Sequence, residues 1–257
     1  MVVFVSSIYE IYGKSEPNKI ILENCVHLLK ANINLIIFVD KIYYQALISM
    51  NVPKSKLVLF DLNLLPIYNL LKDPCDELGL LSPLKLRLPS HDTNVTKNSL
   101  GFLRIMNCKI DFIVEAYKLI SDSHYIWIDF GIYKIFSNKS CEWLEKLSNT
   151  DLSKIDTVIN PGCHRDIISF DNLCSRVYWN YLGGFFIVPN HRVEEFAQLS
   201  YNTLKKFVDN NIITWEVNIW IELENIYGPY FLWYLSNHND LIYQGLFEKL
   251  KFTYTYM

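Results

Sequence analysis

The chain alternates short apolar runs with amphipathic stretches, and this alternation dictates the first structural reading. Val2-Val-Phe-Val5 is short, β-branched and closed by Ser6-Ser7, the signature of a buried strand. From about Pro17 to Ala31, Ile20, Ile21, Leu22, Val26, Leu28 and Leu29 recur near helical spacing, with Pro17 suited to a first helical turn. Asn34 to Val39 reads as a second strand ending at Asp40, residues 41 to 51 as a helix, and Lys56 to Phe60 as a third strand. Strand, helix, strand, helix, strand is the alternation that builds a parallel sheet.

Between Leu62 and Ser99 the pattern loosens around prolines at 66, 74, 83 and 89, which predicts helical pieces and a surface loop over Leu88 to Asn98. A long helix is expected over Leu103 to Leu119, leading into the apolar strand Tyr125-Ile-Trp-Ile128. Further strands are expected at Thr157 to Ile159 and Gly184 to Val188. Helices are expected over Val193 to Asn210 and from Glu216 to Glu224. The tail Lys249 to Met257 alternates aromatic and polar residues and reads as a last strand. The expected class is α/β, with a mainly parallel central sheet, helices on both faces and a single domain.

Composition narrows the function. The chain is 51% hydrophobic and 20% charged, which supplies a large core and excludes the disordered class. Its net charge of -3, with scattered lysines, argues against a nucleic-acid binder, which needs a basic stripe. The six cysteines form no CxxC pair, so a zinc ribbon or thioredoxin-like site is not expected and the thiols read as reduced. No apolar run reaches the ~20 residues of a spanning helix, and the opening reads as a strand instead of a signal sequence. A cytoplasmic location follows as an expectation. Aromatics reach 15%, which core packing explains before ligand walls do.

Chemistry is sought at strand ends, because open parallel sheets bind ligands beyond the carboxyl ends of their strands. Ser6, Ser7, Asp40 and Asp129 occupy such ends. The most informative stretch is Tyr125-Ile-Trp-Ile-Asp-Phe-Gly131, where an apolar strand delivers one carboxylate into a turn loosened by Gly131. Capping of the next element is the competing account of Asp129. Ile159-Asn-Pro-Gly-Cys-His-Arg165 reads as a polar turn whose Asn160, His164 and Arg165 face a ligand or merely close a Pro-Gly loop. Thr214 is placed to cap a helix, with Glu216 in its first turn.

Lys97-Asn-Ser-Leu-Gly-Phe-Leu-Arg104-Ile-Met-Asn107-Cys-Lys109 through Ala116, followed by Tyr125-Ile-Trp-Ile-Asp-Phe-Gly-Ile132, resembles the HtrL/YibB family, also called WlaTC/HtrL. The family carries an Asn-x-Lys pair on a helix and then Trp-Ile-Asp-x-Gly on a strand, and its proteins occur in bacterial surface-polysaccharide loci and some large viruses. The likeness is strongest between residues 97 and 133. The opening Val3-Phe-Val-Ser-Ser is also similar, with Ser in place of the more usual Thr-Ala.

The resemblance implies a GT-A-like, Rossmann-like fold and transfer of a sugar from a nucleotide donor to a glycan or other hydroxyl acceptor. The donor would be a UDP-sugar first and a GDP-sugar second. A nucleotide-binding half would span 1–133 and an acceptor half 134–257, and a viral member would work in the host cytoplasm. Ser6, Ser7, Asp40, Asn107, Lys109, Asp129, Gly131 and Asn160 would face the donor, with Arg104 read as a solvated helix residue. Trp179, Gly183 and Gly184 would face the acceptor. Glu216 would be the base of an inverting reaction, with Glu222 and Asp240 behind it and Asp129 beside the reacting centre; a first-turn acid that merely offsets the helix dipole competes. Mn2+ or Mg2+ would sit on Asp129 with His238, although Gly131 stands where GT-A enzymes usually carry a second Asp. A transferase-like module that only binds nucleotide or glycan is the alternative.

Overall fold

The computed structural model describes residues 2–11, 14–71 and 99–255, the last four by backbone alone. Seven strands form one sheet: β1 (Val2–Ile8), β2 (Leu35–Val39), β3 (Leu57–Leu59), β4 (His124–Ile128), β5 (Val158–Gly162), β6 (Phe185–Pro189) and β7 (Phe231–Leu235). Their order is β3-β2-β1-β4-β6-β5-β7. Every pairing is parallel except those of β6, which runs against β4 and β5. The chain winds from β1 outward to β3, then returns to β4 on the other side of β1. The β1–β4 junction is therefore the topological switch point, where crevices open at the carboxyl edge.

The strands are apolar on both sides because each side is roofed by helices. Val3, Val5, Tyr125, Trp127, Phe186 and Val188 point into one core. That core is closed by α3 (Pro66–Leu70), α4 (Leu100–Asn107), α5 (Lys109–Leu119), α7 (Phe170–Leu173), α8 (Val193–Asp209) and α9 (Glu216–Tyr227). Phe4, Ile37, Ile126, Ile128 and Phe185 point the other way. Here α1 (Lys19–Lys30), α2 (Lys41–Ser49), α6 (Glu142–Ser148) and α10 (Leu241–Thr255) close the second core. One α/β domain with helices on both faces results. The two halves drawn at residue 133 supply β1–β4 and β5–β7 to the same sheet.

Several expected elements change. The single helix over Leu103 to Leu119 is two, broken at Cys108. At the break, the Asn107 amide donates to the Leu103 carbonyl and, across the fold, to that of Thr214, a local bond of the kind that competes with a continuing helix. The polar turn expected at Asn160 to Gly162 belongs to β5 and pairs with Trp233, Tyr234 and Leu235 of β7. Pro161 is tolerated because its carbonyl turns away from β7 to accept from Leu182, so its missing N–H falls on that side too. Of the tail expected as a strand, residues 249–255 belong to the helix α10, whose Ile242, Leu246 and Leu250 bury one face at four-residue spacing, and the last two residues lie outside the described ones. Thr214 does not cap α9; Trp215 holds that position without a side-chain bond. The loop expected over Leu88 to Asn98, Lys97 included, lies outside the described residues. Among the described residues no helix is long and apolar enough to cross a membrane.

Candidate functional site at the carboxyl edge of the sheet

Asp129 follows β4 directly, and its backbone N–H donates to the Gly184 carbonyl, so the carboxylate is delivered where β4 and the start of β6 meet. Its Oδ1 accepts from Trp127 Nε1 at 2.8 Å and lies 3.1 Å from Lys109 Nζ. Its Oδ2 faces Gly184, where an added Cβ would sit 3.4 Å away. The Asp129 side chain is 36% exposed, against 2% for Lys109. The crevice therefore sees a carboxylate whose charge is anchored from behind.

The anchor is tight. Lys109 opens α5 immediately after the break at Cys108, and that break aims its side chain inward. Its ammonium donates to Glu216 Oε1 at 2.7 Å and to the Gly183 carbonyl at 2.8 Å, besides meeting Asp129. An ammonium has three N–H groups, and all three are taken. Burial pushes the Lys109 amine down, but Asp129 and Glu216 outweigh this and hold it above the ordinary lysine range. Burial also pushes the Glu216 carboxyl up, with Lys109 opposing the shift. Gly183 leaves room for this network, since a Cβ there would lie 2.0 Å from Glu216 Oε1 and displace it.

This geometry redistributes the expected roles. Lys109 is a buried counter-ion with no N–H left for a phosphate. Glu216 is 4% exposed and its Oε1 is spent on Lys109, a placement unlike that of a base open to the crevice. Asn107 spends both amide donors on the backbone. Ser6 is buried and donates to the Ile128 carbonyl at 2.7 Å, tying β1 to β4, while Ser7 is half-buried beside it. Asp40 caps α2 through Tyr43 and accepts from the Glu10 N–H, so both its oxygens are engaged. A Cβ on Gly131 would meet nothing within 4 Å.

Elsewhere on this edge, Trp179 packs against both hydrophobic cores, which only a residue lying over a sheet edge can do. It meets Trp215 and the exposed His238 edge-to-face at 5.9 and 4.6 Å. Asn160 is fully buried, and both polar atoms of its amide lack hydrogen-bond partners among the described residues. Arg165 pairs with Glu224 and His164 with Asp166. The reserve acids are engaged: Glu222 with Lys206, and Asp240 with the loop at Ser137 and Asn138. Arg104 is buried over the Tyr68 ring and not on a solvated face. A groove of about 360 Å³ between α5 and α8, floored by Asp111, stands apart from the Asp129 cluster and shares none of its residues.

Sequence reasoning missed Asn218. Its NH2, which has two N–H groups, lies within hydrogen-bond distance of the Leu173 and Arg176 carbonyls and of Thr214 Oγ1, and its oxygen accepts from Tyr178 N–H, so it ties the 173–178 segment to α9. An asparagine two residues after a first-turn glutamate gives no local hint of this role.

A divalent cation does not fit the protein donors alone. Among the described residues no three His, Cys, Asp or Glu side chains converge on one point. One Asp129 oxygen already faces an ammonium, His238 packs on Trp179, and Mg2+ or Mn2+ demands about six oxygen-type ligands.

No family model matches the chain, and no curated protein matches it, so the HtrL/YibB resemblance stands on the quoted residues. Among solved structures it is similar to the glycosyltransferase GlyE of Streptococcus pneumoniae TIGR4, at 13% identity and a TM-score of 0.43. That likeness covers 99% of this chain and 51% of the other. The apo form of GlyE gives 12% identity and a TM-score of 0.41 over the same shares. The chain thus spans about half the length of that protein.

Proposed function

We propose that this chain is a glycosyltransferase that takes a sugar from a nucleotide donor, a UDP-sugar first and a GDP-sugar second, to a hydroxyl acceptor such as a glycan. The observation that carries the reading is Asp129: a half-exposed carboxylate at the end of β4, beside the switch point, locked through one oxygen by Lys109 and Trp127. Its second oxygen is free to accept a hydroxyl of the donor ribose or sugar, and the lock removes the cost of orienting it. Trp179 supplies an apolar surface on the same edge for the acceptor side. Glu216 holds Lys109 in this reading, and no dedicated base is assigned, as suits a retaining reaction.

The test is a thermal-shift panel of UDP, GDP, CDP and their sugars, each with and without Mn2+, since diphosphate oxygens beside Asp129 Oδ2 would add to a ligand set that the described residues alone do not supply. A ligand at a hundredfold over its dissociation constant stabilises by about 2.7 kcal/mol. A shift from one nucleotide, lost in Asp129→Asn, supports the reading. No shift from any nucleotide in a folded sample refutes it. The burial of Glu216 favours a second reading, a non-catalytic nucleotide- or glycan-binding module; binding without turnover of any donor selects it.

A further inference from the structure

The carboxylate that anchors Lys109 uses only one of its oxygens to do so. Glu216 Oε2 is buried and has no hydrogen-bond partner among the described residues, and the same is true of Ser200 Oγ on α8. Both residues line one internal cavity of about 10 Å³, together with Asn107, Ile110 and Trp220. That volume is about the smallest that admits a single water. Asn107 cannot serve Glu216, because its two N–H groups are already given to Leu103 and Thr214. A water can serve both orphans at once, since it donates twice and accepts as well, and a carboxylate only accepts.

We propose that this cavity holds one ordered water, which donates to Glu216 Oε2 and bonds to Ser200 Oγ. Glu216 is then fixed at both oxygens, by Lys109 on the crevice side and by the water on the α8 side. Ser200 becomes a positioning residue: it acts on Asp129 through the water, Glu216 and Lys109, without touching any ligand. The inference rests on the ligand-free geometry and holds or falls independently of glycosyl transfer.

Two measurements on the full chain without nucleotide decide it. Oxygen-17 and deuteron magnetic relaxation dispersion count long-lived internal waters, and Ser200→Val, whose methyls occupy the cavity, is expected to lose one relative to wild type. An atomic-resolution crystal structure of wild type is expected to show density bonded to both Ser200 Oγ and Glu216 Oε2, which decides the matter even where the variant does not fold. An unchanged water count in folded Ser200→Val, or a direct Ser200–Glu216 hydrogen bond with no water between them, overturns the proposal.

Discussion

Replacing Lys109 by Met tests the central cluster. Met keeps most of the buried stem and removes only the ammonium, so packing changes little while three hydrogen-bonded contacts vanish. Asp129, at 36% exposure, can turn to water and adds little to the loss. Glu216 cannot; it is left as an uncompensated buried carboxylate, and breaking a buried pair in this way costs about 3–5 kcal/mol. For a chain of this size that corresponds to a fall in Tm of about 6–20 °C. The loss also carries a pH signature. Burial already holds the Glu216 carboxyl above the ordinary carboxylate range with Lys109 beside it, and without Lys109 it rises further above its unfolded value of about 4.3, so the folded state holds a proton that the unfolded state has released. Stability of the variant therefore falls by up to about 1.4 kcal/mol per unit as pH rises through that window. Urea unfolding at several pH values measures this as a lower midpoint with an unchanged slope. Adding Glu216→Gln to Lys109→Met should recover most of the loss. A deficit below about 1 kcal/mol, the size of an exposed ion pair, with no pH trend and no rescue, would refute the buried-anchor account.

Three further outcomes follow from particular contacts. Burial, opposed by the Ile67 N–H, pushes the Asp111 carboxyl up to about 7, so the folded state retains a proton between about pH 4 and 7 and stability drops as pH rises across that range. Asp111→Asn should accordingly stabilise more at pH 8 than at pH 5, by a difference of order 2–4 kcal/mol in urea titrations; equal effects at both would contradict it. Gly183→Ala should cost about 1–3 kcal/mol through its clash with Glu216, whereas Gly131→Ala, with open space around the new methyl, should stay within about 0.5 kcal/mol. Asn218→Ala removes three hydrogen bonds, two donated and one accepted, at about 1 kcal/mol each and should lower Tm more than any exposed asparagine change, as calorimetry would show.

Much of the fold was legible because it is written in local periodicity. The strands at Val2, Leu35 and Tyr125 are apolar on both sides, and their neighbours carry helical spacing, so β–α alternation and a two-sided core follow from residue order. Periodicity failed where a tertiary partner overrode it. Residues 249–255 continue the helix α10 because Ile242, Leu246 and Leu250, four apart, found the second core, despite the aromatic alternation beyond Leu250. Asn160 to Gly162 became strand because β7, itself not anticipated, supplied a pairing edge.

The site divides in the same way. That an acid would stand at the end of the Tyr125–Ile128 strand, and Glu216 in the first turn of a helix, was open to reading along the chain, because strand ends and helix starts are local features. That one ammonium would join Asp129, Glu216 and the Gly183 carbonyl was decided only by the tertiary structure, since these groups lie up to 107 residues apart. Burial, which turns Lys109 from a phosphate donor into a counter-ion and Glu216 from a base into its anchor, is a property of the packed helices around a side chain. No spacing within the sequence encodes it.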